Sequence, residues 1–267
     1  MASSLAPPLA VLLTDFGEQD WFVGSLKAAI LKRCPQATIV DLCHAIQPGA
    51  IRQGAFVLQQ TFTEFPRGAA FCCVVDPGVG GARHAVAARN EDYVFFAPDN
   101  GLLSGVRARS QSWECFTLDN SAWMNPCVSS TFHGRDIFAP ATGCYLSGGD
   151  LAAAGQRLES MVELELSQAT RDEAGAVRAA VAHIDRFGNL LVDLSRDNFE
   201  AWGGSPKSVV RVGGQALAGI KRAFSDVPAG ELLAYWGSLG LLEIAVNGGS
   251  CAKELGARLG DAVEIEL

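Results

Sequence analysis

Apolar and polar positions alternate in blocks along this chain, and the block lengths differ between its two halves. Leu9 to Leu13 is a short apolar run ending in Thr14-Asp15-Phe16-Gly17, the profile of a buried strand that leads into a polar turn. Trp21 to Cys34 has helical spacing, with Phe22, Leu26, Ala29, Ile30 and Cys34 on or near one stripe, and Pro35 ends it. Thr38 to Leu42 is a second apolar strand, closing near Asp41 and His44. Ala50 to Phe62 reads as a second helix with Ile51, Ala55, Leu58 and Phe62 inward, and Ala69 to Val75 as a third strand. Strand, helix, strand, helix, strand implies a parallel sheet with crossover helices. Ala85–Arg89 and Tyr93–Ala97 then predict a hairpin about Asn90-Glu91-Asp92, Trp113–Leu118 a further strand, and Ile137–Leu146 a helix with Pro140 early enough to be tolerated.

The pattern changes after Gly148. Gly148 to Asp172 is less periodic and Glu163 to Glu173 is acidic, so the domain boundary is expected there, between a domain at 1–165 and a smaller one at 174–267. Beyond it come short strands punctuated by turns: Ala179–Ile184, Leu190–Leu194, Ser208–Val212, Leu232–Tyr235, Leu241–Val246 and Ala262–Leu267. These predict a small β-rich domain.

Composition narrows the class of protein. Of 267 residues, 49% are hydrophobic and 19% charged, an ordinary globular balance. The net charge is -8 and no basic patch appears, which argues against nucleic acid and weakly favours a cationic ligand. The short N-terminus, Met1 to Pro8, lacks the positive start of a signal peptide, and no apolar run approaches the length of a membrane span. None of the eight cysteines forms a CxxC pair, so reduced thiols in a cytoplasmic protein are expected and a zinc site is not. Cys72 and Cys73, adjacent in a strand, should point to opposite faces.

Ligands of open parallel sheets sit beyond the carboxyl ends of the strands, and Asp15 and Asp76 both lie at such ends. The stretch Val74 to Arg83 places a carboxylate, a proline, three glycines and an arginine in ten residues. Two readings fit: a tight turn converging Asp76 and Arg83 on one point, or a plain turn with both charges in solvent. His133, before the third helix, is open between capping, packing and chemistry. In the second half, Asp185-Arg186-Phe187-Gly188-Asn189 joins acid, aromatic and amide, a combination that suits a flat heterocycle and equally suits a turn over a core.

Taken together, several of these stretches resemble one family, the S-adenosylmethionine hydroxide adenosyltransferases, or adenosine-forming S-adenosylmethionine hydrolases, relatives of the fluorinating and chlorinating enzymes. The resemblance rests on Leu12-Leu13-Thr14-Asp15-Phe16-Gly17, Val75-Asp76-Pro77-Gly78-Val79-Gly80, Ala97-Pro98-Asp99-Asn100-Gly101, Thr131-Phe132-His133-Gly134-Arg135-Asp136, Ile184-Asp185-Arg186-Phe187-Gly188-Asn189 and Leu242-Glu243-Ile244-Ala245-Val246-Asn247. It implies an N-terminal Rossmann-like α/β domain followed by a C-terminal β-barrel-like domain. It also implies a homotrimer with each site between one subunit's N-terminal domain and a neighbour's C-terminal domain, a feature the residue pattern itself does not reach.

The resemblance puts the hydrolase's Asp–Arg–His set on Asp76, Arg83 and His133. The fluorinating relatives carry Tyr at the Asp76 position, Ser at the Gly134 position and an insertion between Arg89 and Tyr93, all pointing here to water as nucleophile. It implies Asp15 as ribose ligand, Asp20, Trp21 and Phe22 on the methionine-binding turn, and Asp185 facing the methionine ammonium. It further implies Phe187 and Phe224 as aromatic walls, Asn189 as an adenine-reading amide, Ser238 on the methionine carboxylate, and Val246, Asn247 and Gly248 along the adenine. Leu239 and Val246 stand where the fluorinating enzymes carry arginines, so the carboxylate is held differently. The expected reaction is hydrolysis of S-adenosyl-L-methionine to adenosine and L-methionine by attack on the ribose C5′, with no cofactor and no metal. Three other readings compete: a halide-using transferase, a non-catalytic adenosine or S-adenosylmethionine binder, and a metal hydrolase using Asp15, Asp20, Asp76 and His133.

Overall fold

The computed structural model describes residues 7–173 and 175–267. Most of the N-terminal stretch expected to lack a leader, and Ala174 at the start of the expected second domain, lie outside them. The described chain forms two compact units that divide after Leu166.

The first unit is built on a six-stranded sheet. Its strands are β1 (Leu9–Thr14), β2 (Thr38–Cys43), β3 (Ala70–Val74), β4 (Ala85–Arg89), β5 (Val94–Pro98) and β6 (Glu114–Thr117), in the order β2-β1-β3-β5-β4-β6. β2, β1, β3 and β5 run parallel, while β4 is antiparallel to both its neighbours, so the hairpin β4–β5 ends the parallel run. Four helices cover the sheet: α1 (Phe22–Arg33), α2 (Ile51–Thr61), α3 (Ser104–Ala108) and α4 (Ala139–Leu146). α3 is too short to leave a periodic signature in the sequence.

Alternate side chains of each strand feed the two faces, the period-two rule of an extended chain. Ala10, Leu12, Cys72 and Phe96 pack with Leu26 and Ile30 of α1 and Ala141 of α4. Val11, Leu13, Cys73 and Phe95 pack on the other face with Ala55 and Leu58 of α2 and Val106 of α3. The neighbouring thiols of Cys72 and Cys73 thus lie on opposite faces, and burial pushes Cys72 up to about 12. Each fully buried leucine here contributes about 1.5–3 kcal/mol relative to exposure, which fixes the strands whose carboxyl ends carry the site.

The weakly periodic stretch after Gly148 straps the first unit. Leu158 N donates to Cys115 O at 2.8 Å, Val162 N to Asp99 Oδ1 at 2.8 Å and Leu164 N to Ser104 Oγ at 2.8 Å. Its bonds run to residues distant in sequence, so local pattern carries no trace of them.

The second unit is a single curled sheet. Its strands are β7 (Thr170–Arg171), β8 (Val177–Ile184), β9 (Leu190–Ser195), β10 (Val209–Val212), β11 (Gln215–Ala218), β12 (Ile220–Lys221), β13 (Leu232–Trp236), β14 (Leu241–Val246) and β15 (Ala262–Glu266). The order is β11-β10-β15-β8-β9-β14-β13-β12, with β7 on β8 and β11 returning against β13. The sheet nearly closes into a barrel around one interior cluster that includes Val177, Val192, Phe199, Val210, Ile244 and Val263. Two short helices, α5 (Arg196–Ala201) and α6 (Cys251–Leu255), are capped by the hydroxyls of Ser195 and Ser250.

No helix among the described residues is long and apolar enough to cross a membrane. All eight cysteines are free.

Candidate active site

Three loops of the first unit converge beyond the carboxyl ends of β1 and β3, which pair in register with Thr14 opposite Val74. The strand order reverses about β1, because β2 lies on one side of it and β3 on the other. Such a crevice is where open α/β sheets bind ligands.

Asp76 lies two residues past β3. Arg83 returns across the turn and donates Nε–H to Asp76 Oδ2 at 3.0 Å, with a longer share to Oδ1 at 3.2 Å, and Nη2–H to Oδ2 at 2.5 Å. Arg83 Nη2 also lies 2.7 Å from His133 Nδ1. The side chains of Arg83 and Asp76 are 12% and 4% exposed, so this is a mostly desolvated pair rather than a solvated turn. A guanidinium only donates, so Nδ1 of His133 is the acceptor and the ring's proton sits on Nε2. Burial, then the Arg83 charge, holds the imidazole below its usual range, which keeps it neutral.

The turn itself depends on Gly80. Its φ is +76°, and a Cβ there would lie 2.2 Å from the carbonyl oxygen of Ser130. Backbone therefore packs on backbone between the Asp76–Arg83 turn and the loop that carries His133. That loop is ordered in turn by Asp136, a carboxylate 1% exposed. Asp136 accepts from Arg135 Nε (2.7 Å) and Nη2 (2.8 Å), Ser129 N (2.9 Å) and Asn125 Nδ2 (3.1 Å). These bonds hold its carboxyl below the usual range against the cost of burial. His133 directly precedes a single π-helical turn, Gly134–Phe138, that runs into α4, the kind of irregularity that helices carry at functional sites.

Asp15 follows β1 and accepts from Gly49 N at 2.7 Å through Oδ2. Burial raises its pKa above the ordinary carboxylate value. Asp15, Asp76, His133, Phe22 and Gly134 line one cavity of about 160 Å³, with Phe16 and Phe132 among its walls. The three phenylalanine rings meet edge to face at 5.3–5.9 Å. A Cβ at Gly134 would sit 3.2 Å from Phe16 Cζ, so a side chain there displaces a wall of the cavity. Asp20 and Trp21 are not among its lining residues; Trp21 is 70% exposed and makes a tilted ring contact with Phe22 at 5.3 Å.

The second unit carries its own open pocket, of about 880 Å³. Asp185, Phe187, Asn189, Phe224, Ser238, Val246 and Gly248 all lie on its lining. Asp185 shapes the turn: its Oδ1 accepts from Phe187 N (2.9 Å) and Asn189 N (2.8 Å), and its Oδ2 from Asn189 Nδ2 (2.8 Å). Phe187 is 75% exposed, an open stacking face. Asn247 is not on the lining; its amide donates to Val227 O at 2.8 Å. The lining also holds Arg222, Tyr235 and Glu243, which the sequence reading passed over. Glu243 left a signal: it is the one carboxylate inside the otherwise apolar run Leu241 to Val246.

No group of three His, Cys, Asp or Glu side chains among the described residues is placed to hold a metal ion. The chemistry at hand is a buried carboxylate, a guanidinium that clamps it, and a neutral imidazole fixed as an Nε2–H donor. That set can hold a small polar molecule and accept one proton from it.

Residues 10–155 match the SAM hydroxide adenosyltransferase N-terminal domain, and residues 179–264 match the corresponding C-terminal domain. The chain is 37% identical to an (R)-S-adenosyl-L-methionine hydrolase of Salinispora tropica, over 98% of this chain and 99% of that protein. It is 36% identical to the (R)-S-adenosyl-L-methionine hydrolase of Thermus thermophilus, over 95% of this chain and 97% of that one. A fluorinase of Actinopolyspora mzabensis is 25% identical over 99% of both chains. The crystal structure of a conserved Thermotoga maritima protein superposes with a TM-score of 0.89 at 36% identity, covering 96% of this chain and 99% of that one.

Proposed function

This chain belongs to the SAM hydroxide adenosyltransferase family, and from that premise we propose how its residues perform the family's reaction. The protein hydrolyses (R)-S-adenosyl-L-methionine to adenosine and methionine. The observation that carries our account of the chemistry is the contact of Arg83 Nη2 with His133 Nδ1 at 2.7 Å, made by the same nitrogen that clamps Asp76.

With Nδ1 occupied by a donor, His133 presents Nε2–H to a water molecule and does not act as its base. Asp76 Oδ1 carries only the longer share of Arg83 and keeps a lone pair free. A water that accepts from His133 Nε2–H and donates to Asp76 Oδ1 has a lone pair left for C5′. As the oxygen–carbon bond forms, the C5′–sulfur bond breaks and its electron pair returns to sulfur. The sulfonium leaves as a neutral thioether, so no general acid is needed. The attacking oxygen's proton passes to Asp76. A preformed hydroxide is not required: with no metal in the scheme, water's pKa of about 15.7 stays far from neutrality, so proton loss accompanies or follows attack. Holding water, carbon and sulfur in line is the main catalytic device.

Asp15, desolvated and held by the Gly49 amide, is the ribose ligand in this reading. Asp20 and Trp21 flank the methionine portion at the mouth of the cavity. In the second unit, Phe187 and Phe224 serve as aromatic walls, Asn189 and the backbone around Val246 to Gly248 read the adenine, and Asp185 faces the ammonium. Asn247 acts there by holding the turn. Leu239 and Val246 supply no charge, so Ser238 and Arg222 receive the substrate carboxylate.

We infer a homotrimer in which one subunit's first unit meets a neighbour's second unit. Its support is that each unit carries half of the required groups and an exposed aromatic residue beside them, Trp21 in one and Phe187 in the other. Eight free thiols fit a cytoplasmic setting.

The test is product analysis in buffer with and without chloride. Adenosine and methionine in equal amounts, at a rate chloride does not raise, is the expected result. Chloride-dependent 5′-chloro-5′-deoxyadenosine formed faster than adenosine would make the protein a halide-using transferase.

A further inference from the structure

The pocket of the second unit contains a carboxylate that the account above leaves without a task. Glu243 sits in the middle of β14, a strand buried at all six positions, and is 9% exposed. Tyr235, directly opposite on β13, donates its hydroxyl to Glu243 Oε2. The other oxygen, Oε1, has no hydrogen-bond partner among the described residues, and Glu243 is one of the residues that line the pocket. Room for it is made by Gly237: a Cβ at that position would lie 1.8 Å from Oε1. The backbone of Gly237 does not lie in the left-handed region, so the glycine serves space rather than conformation.

A half-satisfied carboxylate seated in a buried strand is costly unless something pairs with the charge. No basic residue among those described forms an ion pair with Glu243 or with Asp185, the second acid of the lining. Arg222, the lining's cation, bonds neither of them. Burial first, and then the Asp185 charge, pushes Glu243 above the ordinary carboxylate range, and burial and the bond to Glu243 push the Tyr235 hydroxyl well above its ordinary value. The tyrosine is thereby kept a donor, and the missing partner is a cation brought by the ligand.

We propose that Glu243 is a binding residue for the α-ammonium of the substrate's methionine portion, sharing it with Asp185. This rests on the function proposed above and adds a residue to it. An ammonium, unlike the sulfonium, has three N–H donors to place. Asp185 has both oxygens engaged by its own turn and retains only spare lone pairs. Glu243 Oε1 supplies the open acceptor. A ligand carboxylate in the same place would be repelled.

Calorimetric titration of the trimmed ligands onto the full-length protein tests this. Glu243→Gln keeps the shape and the bond from Tyr235 but removes the charge. It should weaken L-methionine binding roughly 10- to 100-fold, the range of a lost charge-assisted hydrogen bond, and raise the KM for S-adenosylmethionine similarly with little change in kcat. Adenosine affinity should not move. 4-(Methylthio)butanoate, methionine without its ammonium, should bind wild type and Glu243→Gln alike. Glu243→Asp, which keeps the charge but withdraws it by one methylene, should fall between the two. Unchanged methionine affinity in both variants overturns the proposal, as does an equal loss for methionine and adenosine, which would mark a structural role. Hydrolysis by the wild type is measured in the same preparation. An inactive wild type would sink the function itself, whereas an active one with an indifferent Glu243 sinks only this inference.

Discussion

Replacing Arg83 by lysine keeps the positive charge and removes the fork. In the wild type one guanidinium makes two directed contacts with Asp76, through Nε at 3.0 Å and Nη2 at 2.5 Å, and a third with His133 Nδ1 at 2.7 Å. A lysine ammonium is one nitrogen at the end of a flexible stem and cannot hold the carboxylate flat while also fixing the imidazole tautomer. At least one charge-assisted bond goes, worth about 1.5–3 kcal/mol. If that orientation matters only in the transition state, kcat falls by roughly 10- to 150-fold. KM should change little, because Arg83 touches the groups that hold water and not the substrate. Arg83→Ala is the poorer probe: it strands a carboxylate only 4% exposed, at about 3–5 kcal/mol, and confuses folding with chemistry. The assay is adenosine formation under saturating S-adenosylmethionine, with a melting curve to show that Arg83→Lys is folded. A folded Arg83→Lys protein with wild-type kcat would refute the clamp.

Two further outcomes follow from the same geometry. Gly80→Ala forces a φ of +76° on a residue with a Cβ, costing about 1–2 kcal/mol, and drives that Cβ into Ser130 O; the melting temperature should drop and kcat fall more than KM rises, and an unchanged kcat would separate the turn from the His133 loop. The pH profile of kcat/KM should fall on the acid side through an apparent pKa below 6.5, because burial and Arg83 depress His133 and its protonation would break the bond that Nδ1 accepts. The same group binds fewer protons folded than unfolded between its depressed value and 6.5, so its contribution to stability rises with pH across that window; an acid limb centred above 6.5 would contradict the assignment of a neutral ring.

The fold was legible where burial is repetitive. Leu9 to Leu13 and Ala69 to Val75 are buried on both faces and read as strands from their apolar runs, and α1 and α2 from their stripes. Short elements held by distant partners were not. Ser104 to Ala108 is one turn of helix over α2, and β12 has two residues, paired with β13. Of the site, Asp15 and Asp76 were legible as polar residues ending apolar strands. That Arg83 turns back onto Asp76 depends on backbone contact between Gly80 and Ser130, fifty residues apart, which no local pattern encodes. Glu243 hid because an acid within a strand ordinarily faces water, whereas all six positions of β14 are buried. On the turn marked by its resemblance, Phe22 lines the cavity while Asp20 and Trp21 are not among its lining residues.

In the proposed reaction, water held between Asp76 and His133 attacks C5′. The measurement closest to it is turnover of S-adenosylmethionine in heavy-oxygen water, with mass analysis of both products. One solvent oxygen is expected on the 5′-hydroxyl of adenosine and none gained by methionine. Turnover that leaves the 5′-hydroxyl unlabelled would mean that oxygen reaches the ribose by another route, and the roles given to Asp76, Arg83 and His133 would fall with it.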